Sequence, residues 1–156
     1  MEMQNDSSNW NMVSEVELVY KSKVKIAARP VVKCSADIEK ILRSFYNEET
    51  IELQEQFSVM YLNRACRILG IYKVSTGGIT ATIADPRLIF AMALKLAACY
   101  LILSHSHPSG NLKPSNADLI LTHKIKQAAS FFDMKIVDHI ILTGDEYLSF
   151  SDEGLL

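Results

Sequence analysis

The apolar residues of this chain fall into two rhythms, one of period two and one of period three to four, and these divide it into elements. Glu15 to Ala27 alternates, with Val16, Leu18, Tyr20, Val24 and Ile26, and predicts a strand. Ser35 stands where a helix cap belongs, ahead of Ile38, Ile41, Leu42 and Phe45 at helical spacing. Phe57 to Leu62 and Ile68 to Val74 are β-rich runs separated by Asn63-Arg64-Ala65, which predicts a hairpin. Thr76-Gly77-Gly78 marks a turn, and Asp85-Pro86 a helix cap with proline at the first helical position. The helix that follows places Leu88, Ile89, Met92, Ala93 and Leu96 on one side. Tyr100 to Ser104 is a short unbroken apolar run, as a strand covered on both faces shows. A polar loop with two prolines and a glycine leads into a helix over about Asn116 to Phe132, carrying Leu119, Ile120, Ile125, Ala128, Ala129 and Phe132. Strands near Ile136–Leu142 and Tyr147–Phe150 flank the turn Thr143-Gly144-Asp145-Glu146. The order predicts a mixed α/β domain over 15–156, with a central, mostly antiparallel or mixed sheet flanked by helices. Residues 1–14 are polar and aperiodic and read as a loose arm.

Composition narrows the function classes. The 156 residues are 49% hydrophobic and 22% charged, which is ordinary globular material of about one domain. Sixteen Lys and Arg against eighteen Asp and Glu leave a net charge of −2, without the basic surplus of a dedicated duplex-DNA binder. The chain is shorter than the roughly 250 residues of a (β/α)₈ barrel. Cys34, Cys66 and Cys99 are odd in number and widely spaced, and are expected to be reduced, buried thiols. The acidic start, with Glu2, Asp6, Glu15 and Glu17, is no signal peptide, and Lys95 interrupts the longest apolar stretch. The expectation is a soluble, cytoplasmic protein with no membrane contact.

Chemistry concentrates in Ser104-His105-Ser106-His107-Pro108-Ser109-Gly110 and the following Lys113-Pro114-Ser115-Asn116-Ala117-Asp118. Histidines at i and i+2 share a face while the backbone stays extended, and paired neutral imidazoles suit Zn²⁺. Asp118, in the first turn of the next helix, can return to the strand end. His105, His107 and Asp118 with one water would make an open four-coordinate site, the catalytic pattern. Taken separately, Ser115 and Asp118 read as a capping box; beside the two histidines they favour a site.

His105-x-His107, seven residues, Ser115, two residues and Asp118 match the JAMM motif of JAB/MPN metallopeptidase-like domains without a gap. The words HSHPSG, KPSNAD and Asp138-His139-Ile140-Ile141, with Glu55-x-Phe57 before Tyr61-Leu62-Asn63, resemble the bacterial RadC family. The resemblance covers about residue 30 to the C-terminus, the motif itself lying within about 30–150. It implies a cytidine-deaminase-like architecture and a single zinc ion held by His105, His107 and Asp118. It also implies Glu55 as general base and Ser115 as a hydroxyl that stabilises the oxyanion. Glu48, Glu49 and Glu52 lie nearby, and strand phase with the Glu-x-Phe word favours Glu55. Gln56 departs from the acidic residue common there in related sequences. Ser106, Asp138 and His139 are candidates for a shell behind the ligands, while a histidine satisfied within the sheet is an equal reading of His139. His123 lies within the long helix and reads as surface or core.

The implied activity is hydrolysis of an amide, peptide or isopeptide bond in a peptide or protein substrate. The alternatives are a non-catalytic interaction module on the same fold and a DNA-repair accessory role, which the RadC label carries. Longer RadC-like proteins have an N-terminal helix-hairpin-helix region, whereas about thirty residues precede the domain here, so direct nucleic-acid binding is not expected. Oligomeric state stays open. Amidohydrolases need the barrel that the length forbids, metallo-β-lactamase-like enzymes an HxHxDH run, and zinc deaminases a PCxxC partner.

Overall fold

A computed structural model describes residues 22–77 and 84–156. The elements are α1 (Ser35–Phe45), β1 (Gln56–Leu62), β2 (Ile68–Thr76), α2 (Pro86–Lys95), β3 (Tyr100–Ser106), α3 (Asn116–Ser130), β4 (Lys135–Leu142) and β5 (Tyr147–Ser149). The strands form one sheet in the order β2-β1-β3-β4-β5. All neighbours are antiparallel except β3 and β4, which run parallel because α3 crosses over between them. The expected mixed sheet flanked by helices is therefore what the chain forms.

Strand alternation divides the core in two. Phe57, Val59 and Tyr61 of β1 and Leu101 and Leu103 of β3 face Ile89, Phe90 and Ala93 of α2 and Ile125 and Ala129 of α3. Met60, Leu62, Ile102, Ile140 and Leu142 face the other way, against Ile38 and Leu42 of α1. Both faces of β3 are thus covered, as its unbroken apolar run requires.

Several elements differ locally from expectation. The arm expected over residues 1–14, residues 15–21 of the first predicted strand, and Gly78 lie outside the described residues. Ile26–Ala28 is a 3₁₀ turn, not the end of a strand. Val24 and Ile26 are exposed among the described residues. The cap of α1 is Cys34, with Ser35 as the first helical residue; the Asp37 carboxylate takes the Lys33 N–H at 2.9 Å. The Asp85 cap holds as expected, accepting the Arg87 N–H at 2.9 Å ahead of Pro86. Leu88 is exposed and Phe90 takes its place in the core. On α3 the buried stripe is Thr122, Ile125 and Ala129, while Leu119 and Ile120 are exposed, as is Phe132, two residues past the end of the helix. Asp118 heads that stripe one turn before Thr122, so the face that packs the helix also aims the carboxylate at the sheet. The cysteines are free, but Cys34 is exposed and Cys66 and Cys99 are half-buried. Among the described residues no helix is long and apolar enough to cross a membrane.

Leu103 has no exposed surface, and Leu103→Ala is expected to lower unfolding stability by about 2–5 kcal/mol in denaturant titration. Leu94→Ala, at a half-exposed site on α2, is expected to change it by less than about 0.5 kcal/mol.

Candidate metal centre

Strand β3 runs two residues past its apolar segment. His105 lies within it, and His107 stays extended because its N–H continues the pairing with β4, donating to the Leu142 carbonyl at 2.8 Å. The two side chains therefore project to one face. Their Nε2 atoms are 2.9 Å apart. Asp118 Oδ1 lies 3.2 Å from His105 Nε2, and Oδ2 lies 3.6 Å from His107 Nε2. Ligand atoms around tetrahedral zinc, with bonds of about 2.0–2.1 Å, stand about 3.3 Å apart. The spacing of the three groups fits such an ion.

Proton bookkeeping supports that fit. His107 Nδ1 is 2.6 Å from the Asn111 carbonyl, which can only accept, so Nδ1 carries hydrogen. In the neutral ring Nε2 is then a bare lone pair, pointing at His105 and the carboxylate. Such donors repel unless a cation lies among them. A proton can serve in the cation's stead: the hydrogen bond with Asp118 raises the His107 pKa above its ordinary value, against an opposing desolvation, and the charge of Glu55 adds to the rise. Burial pushes the Asp118 carboxyl up, but the neighbouring His105 and His107 rings and the Ser115 hydroxyl outweigh it and hold the group well below the usual carboxylate range. His105 is 1% exposed, whereas the side chains of His107 and Asp118 keep 15% and 13%. The cluster is open to solvent on that side, which leaves room for a further ligand.

Ser115 and Asp118 form a capping box as well as part of the cluster. Asp118 N–H donates to Ser115 Oγ at 3.1 Å, and both the N–H and the hydroxyl of Ser115 donate to Asp118 Oδ2 at 2.7 Å. The cap and site readings are thus compatible, because the cap itself orients the carboxylate.

Glu55 lies immediately before β1, half-buried. Phe57 pairs with His105 in the antiparallel register, and continuing that register by two residues sets Glu55 opposite His107. Alternation puts Glu55 on the face of Phe57, whose ring stacks on His105 at 6.1 Å and 16°. Ser106 points to the opposite face and fastens the backbone on either side of Glu55. Its hydroxyl donates to the Gln54 carbonyl at 3.1 Å and accepts the Gln56 N–H at 3.0 Å. It stands behind Glu55, not behind the ligands. Glu52 lines one hollow with Arg43, Glu48 and Gly144 and another with Pro108 and Gly110, on the loop that follows His107.

Asp138 and His139 part company. His139 Nε2 is 2.7 Å from His105 Nδ1, with Phe150 against its ring at 4.5 Å. Complete burial drives its pKa well below the ordinary value, so the ring is neutral. Asp138 faces the other side of the sheet. It accepts from Ser149 Oγ at 2.7 Å and Ser151 N–H at 3.0 Å, tying β4 to the turn after β5, and touches the cluster only through the His139 backbone N–H. Burial raises its pKa. His123 is exposed on α3. One residue with a place near the cluster that the sequence did not single out is Thr122, whose Oγ1 is 2.6 Å from His139 Nδ1.

Comparison with known proteins agrees with this architecture. A UPF0758 protein of Flavobacterium johnsoniae is 48% identical over 101 residues, 65% of this chain and 44% of that protein. One from Porphyromonas gingivalis is 41% identical over 104 residues, 66% of this chain and 46% of that protein. One from Syntrophomonas wolfei is 33% identical over 132 residues, 84% of this chain and 56% of that protein. The matched part of this chain thus spans about half the length of these curated relatives. The family model described as the RadC-like JAB domain matches residues 32–155, from the approach to α1 through the end of the sheet, and the chain belongs to that family.

Proposed function

We propose that this domain is a zinc-dependent hydrolase of amide bonds, acting on a peptide or isopeptide linkage in a protein substrate. The observation that carries this reading is the convergence of two imidazole Nε2 atoms and a carboxylate within 2.9–3.6 Å, with the charge of Glu55 bearing on His107. His105, His107 and Asp118 would hold the ion. Zinc supplies a Lewis acid, which makes water acidic near neutral pH and polarises a carbonyl. Glu55 would take the proton from the attacking water on its carboxylate and hand it to the departing amine nitrogen. Ser106 would keep that carboxylate aimed by fixing the backbone at Gln54 and Gln56. Ser115 would hold Asp118 in orientation and offer its hydroxyl to negative charge developing on the carbonyl oxygen.

Glu55→Gln is expected to reduce amide hydrolysis about 10²–10⁴-fold on a peptide and isopeptide library while leaving zinc content unchanged. Equal turnover by both proteins would remove Glu55 from the base role, and no turnover by either would favour an interaction module. Zinc affinity is expected to weaken as pH falls. The proton that His107 binds more tightly than usual must leave for the metal to enter, so the loss begins above pH 6.5 and approaches about tenfold per unit below it. Competition titrations with a chromophoric chelator at a series of pH values measure it; a pH-independent affinity contradicts the ligand set.

A further inference from the structure

We propose that Thr122 and His139 form a positioning chain that fixes the tautomer of His105 and so presents its Nε2 to the metal. The inference rests on the metal-site reading above, and goes beyond it by assigning a function to a helix hydroxyl and a sheet histidine that would touch no substrate. Four short contacts close a ring through two of the three ligands. Thr122 Oγ1 lies 2.6 Å from the Asp118 backbone carbonyl. His139 Nδ1 lies 2.6 Å from Thr122 Oγ1. His105 Nδ1 lies 2.7 Å from His139 Nε2, and His105 Nε2 lies 3.2 Å from Asp118 Oδ1.

The hydrogens in this ring can be placed one after another. A carbonyl only accepts, so the single hydroxyl hydrogen of Thr122 goes to Asp118. Thr122 Oγ1 is then an acceptor toward His139, whose Nδ1 must carry hydrogen. His139 is fully buried between the rings of Phe57 and Phe150, and its two ring nitrogens meet a hydroxyl and an imidazole, not a carboxylate, so the imidazole is neutral and its Nε2 is bare. A bare Nε2 at 2.7 Å requires hydrogen on His105 Nδ1. His105 Nε2 is left as the lone pair facing His107 and Asp118. His107 reaches the same state by a shorter route, through the Asn111 carbonyl. Two separate devices thus aim two Nε2 lone pairs at one point, and both end on backbone carbonyls, which cannot reverse direction.

Removing the Thr122 hydroxyl leaves His139 Nδ1–H without its acceptor. The neutral ring can then move its hydrogen to Nε2, where it donates to His105 Nδ1 and pushes the His105 hydrogen onto the metal-facing nitrogen. Thr122→Val keeps the side-chain shape and removes the hydroxyl with both its bonds, to His139 Nδ1 and to the Asp118 carbonyl, while Thr122→Ser keeps the hydroxyl. Outer partners of this kind change metal affinity by roughly 10–100-fold.

The test titrates Zn²⁺ against a chelator for the wild-type chain, Thr122→Val and Thr122→Ser, with histidine ring ¹⁵N shifts recorded for each. The proposal expects about 10–100-fold weaker zinc binding for Thr122→Val and at most about threefold for Thr122→Ser. It expects hydrogen on Nδ1 of both His105 and His139 in the zinc-loaded wild type, and Nδ1 hydrogen on His139 without zinc. A folded Thr122→Val that binds zinc like the wild type overturns it, as does a wild-type His139 carrying its hydrogen on Nε2. The ¹⁵N readout on the wild type decides the matter even if the valine variant fails to fold. A wild type that binds no zinc overturns the metal-site reading and this proposal together, whereas tight zinc binding with the wrong His139 tautomer overturns this proposal alone.

Discussion

Strand β3 is gripped on both sides, antiparallel by β1 and parallel by β4, and the candidate site depends on that grip reaching beyond the strand's apolar residues. Had the chain turned away after Ser104, the two histidines would have pointed apart. The bond from His107 N–H to the Leu142 carbonyl holds the backbone extended for the extra residues that bring both rings to one face. The register with β1 sets Phe57 across from His105, and the parallel register with β4 pairs His139 with Leu103, one same-face position before His105, so that the two rings meet. Two ladders of ordinary backbone hydrogen bonds therefore determine which side chains meet.

The same economy of structure holds for α3. A helix must satisfy its first N–H groups, and Ser115 and Asp118 do so for each other. In doing so they fix the carboxylate at the head of the stripe that packs Thr122, Ile125 and Ala129 against the sheet. Loosening the cap would move a proposed ligand, and moving the ligand would loosen the cap. Stability and site geometry are coupled here through shared atoms. The arrangement carries an electrostatic cost, since lone pairs and a carboxylate crowd together at partial burial, and a cation relieves it.

Much of this was legible from local sequence. The hairpin, the buried strand, the Asp85-Pro86 start and the long helix each rest on a period or a cap that involves only near neighbours. The triad was legible because all its members lie within fourteen residues, on one strand end and the next helix turn. Features that depend on how strands line up were less legible. Asp138 and His139 formed one candidate pair, yet adjacent strand residues face opposite ways, and only His139 meets the cluster. Which of the two does so depends on a register irregularity between β3 and β4 at Leu101 and Ile102, and no local pattern announces that. Thr122 gave no signal at all, since a threonine within a helix reads as filler until β4 is placed against it. The alternation around Val24 and Ile26 misled because a period of two over a few residues does not distinguish a strand from an exposed 3₁₀ turn.

The central claim is that His105, His107 and Asp118 exist as a set to hold one cation, and metal analysis of the purified chain tests it most directly. Prepared without chelator and supplied with zinc, the wild-type chain should carry about one zinc ion per molecule, and Asp118→Ala should retain little or none after the same washing. Equal zinc content in the two proteins, or none in either, would contradict the account.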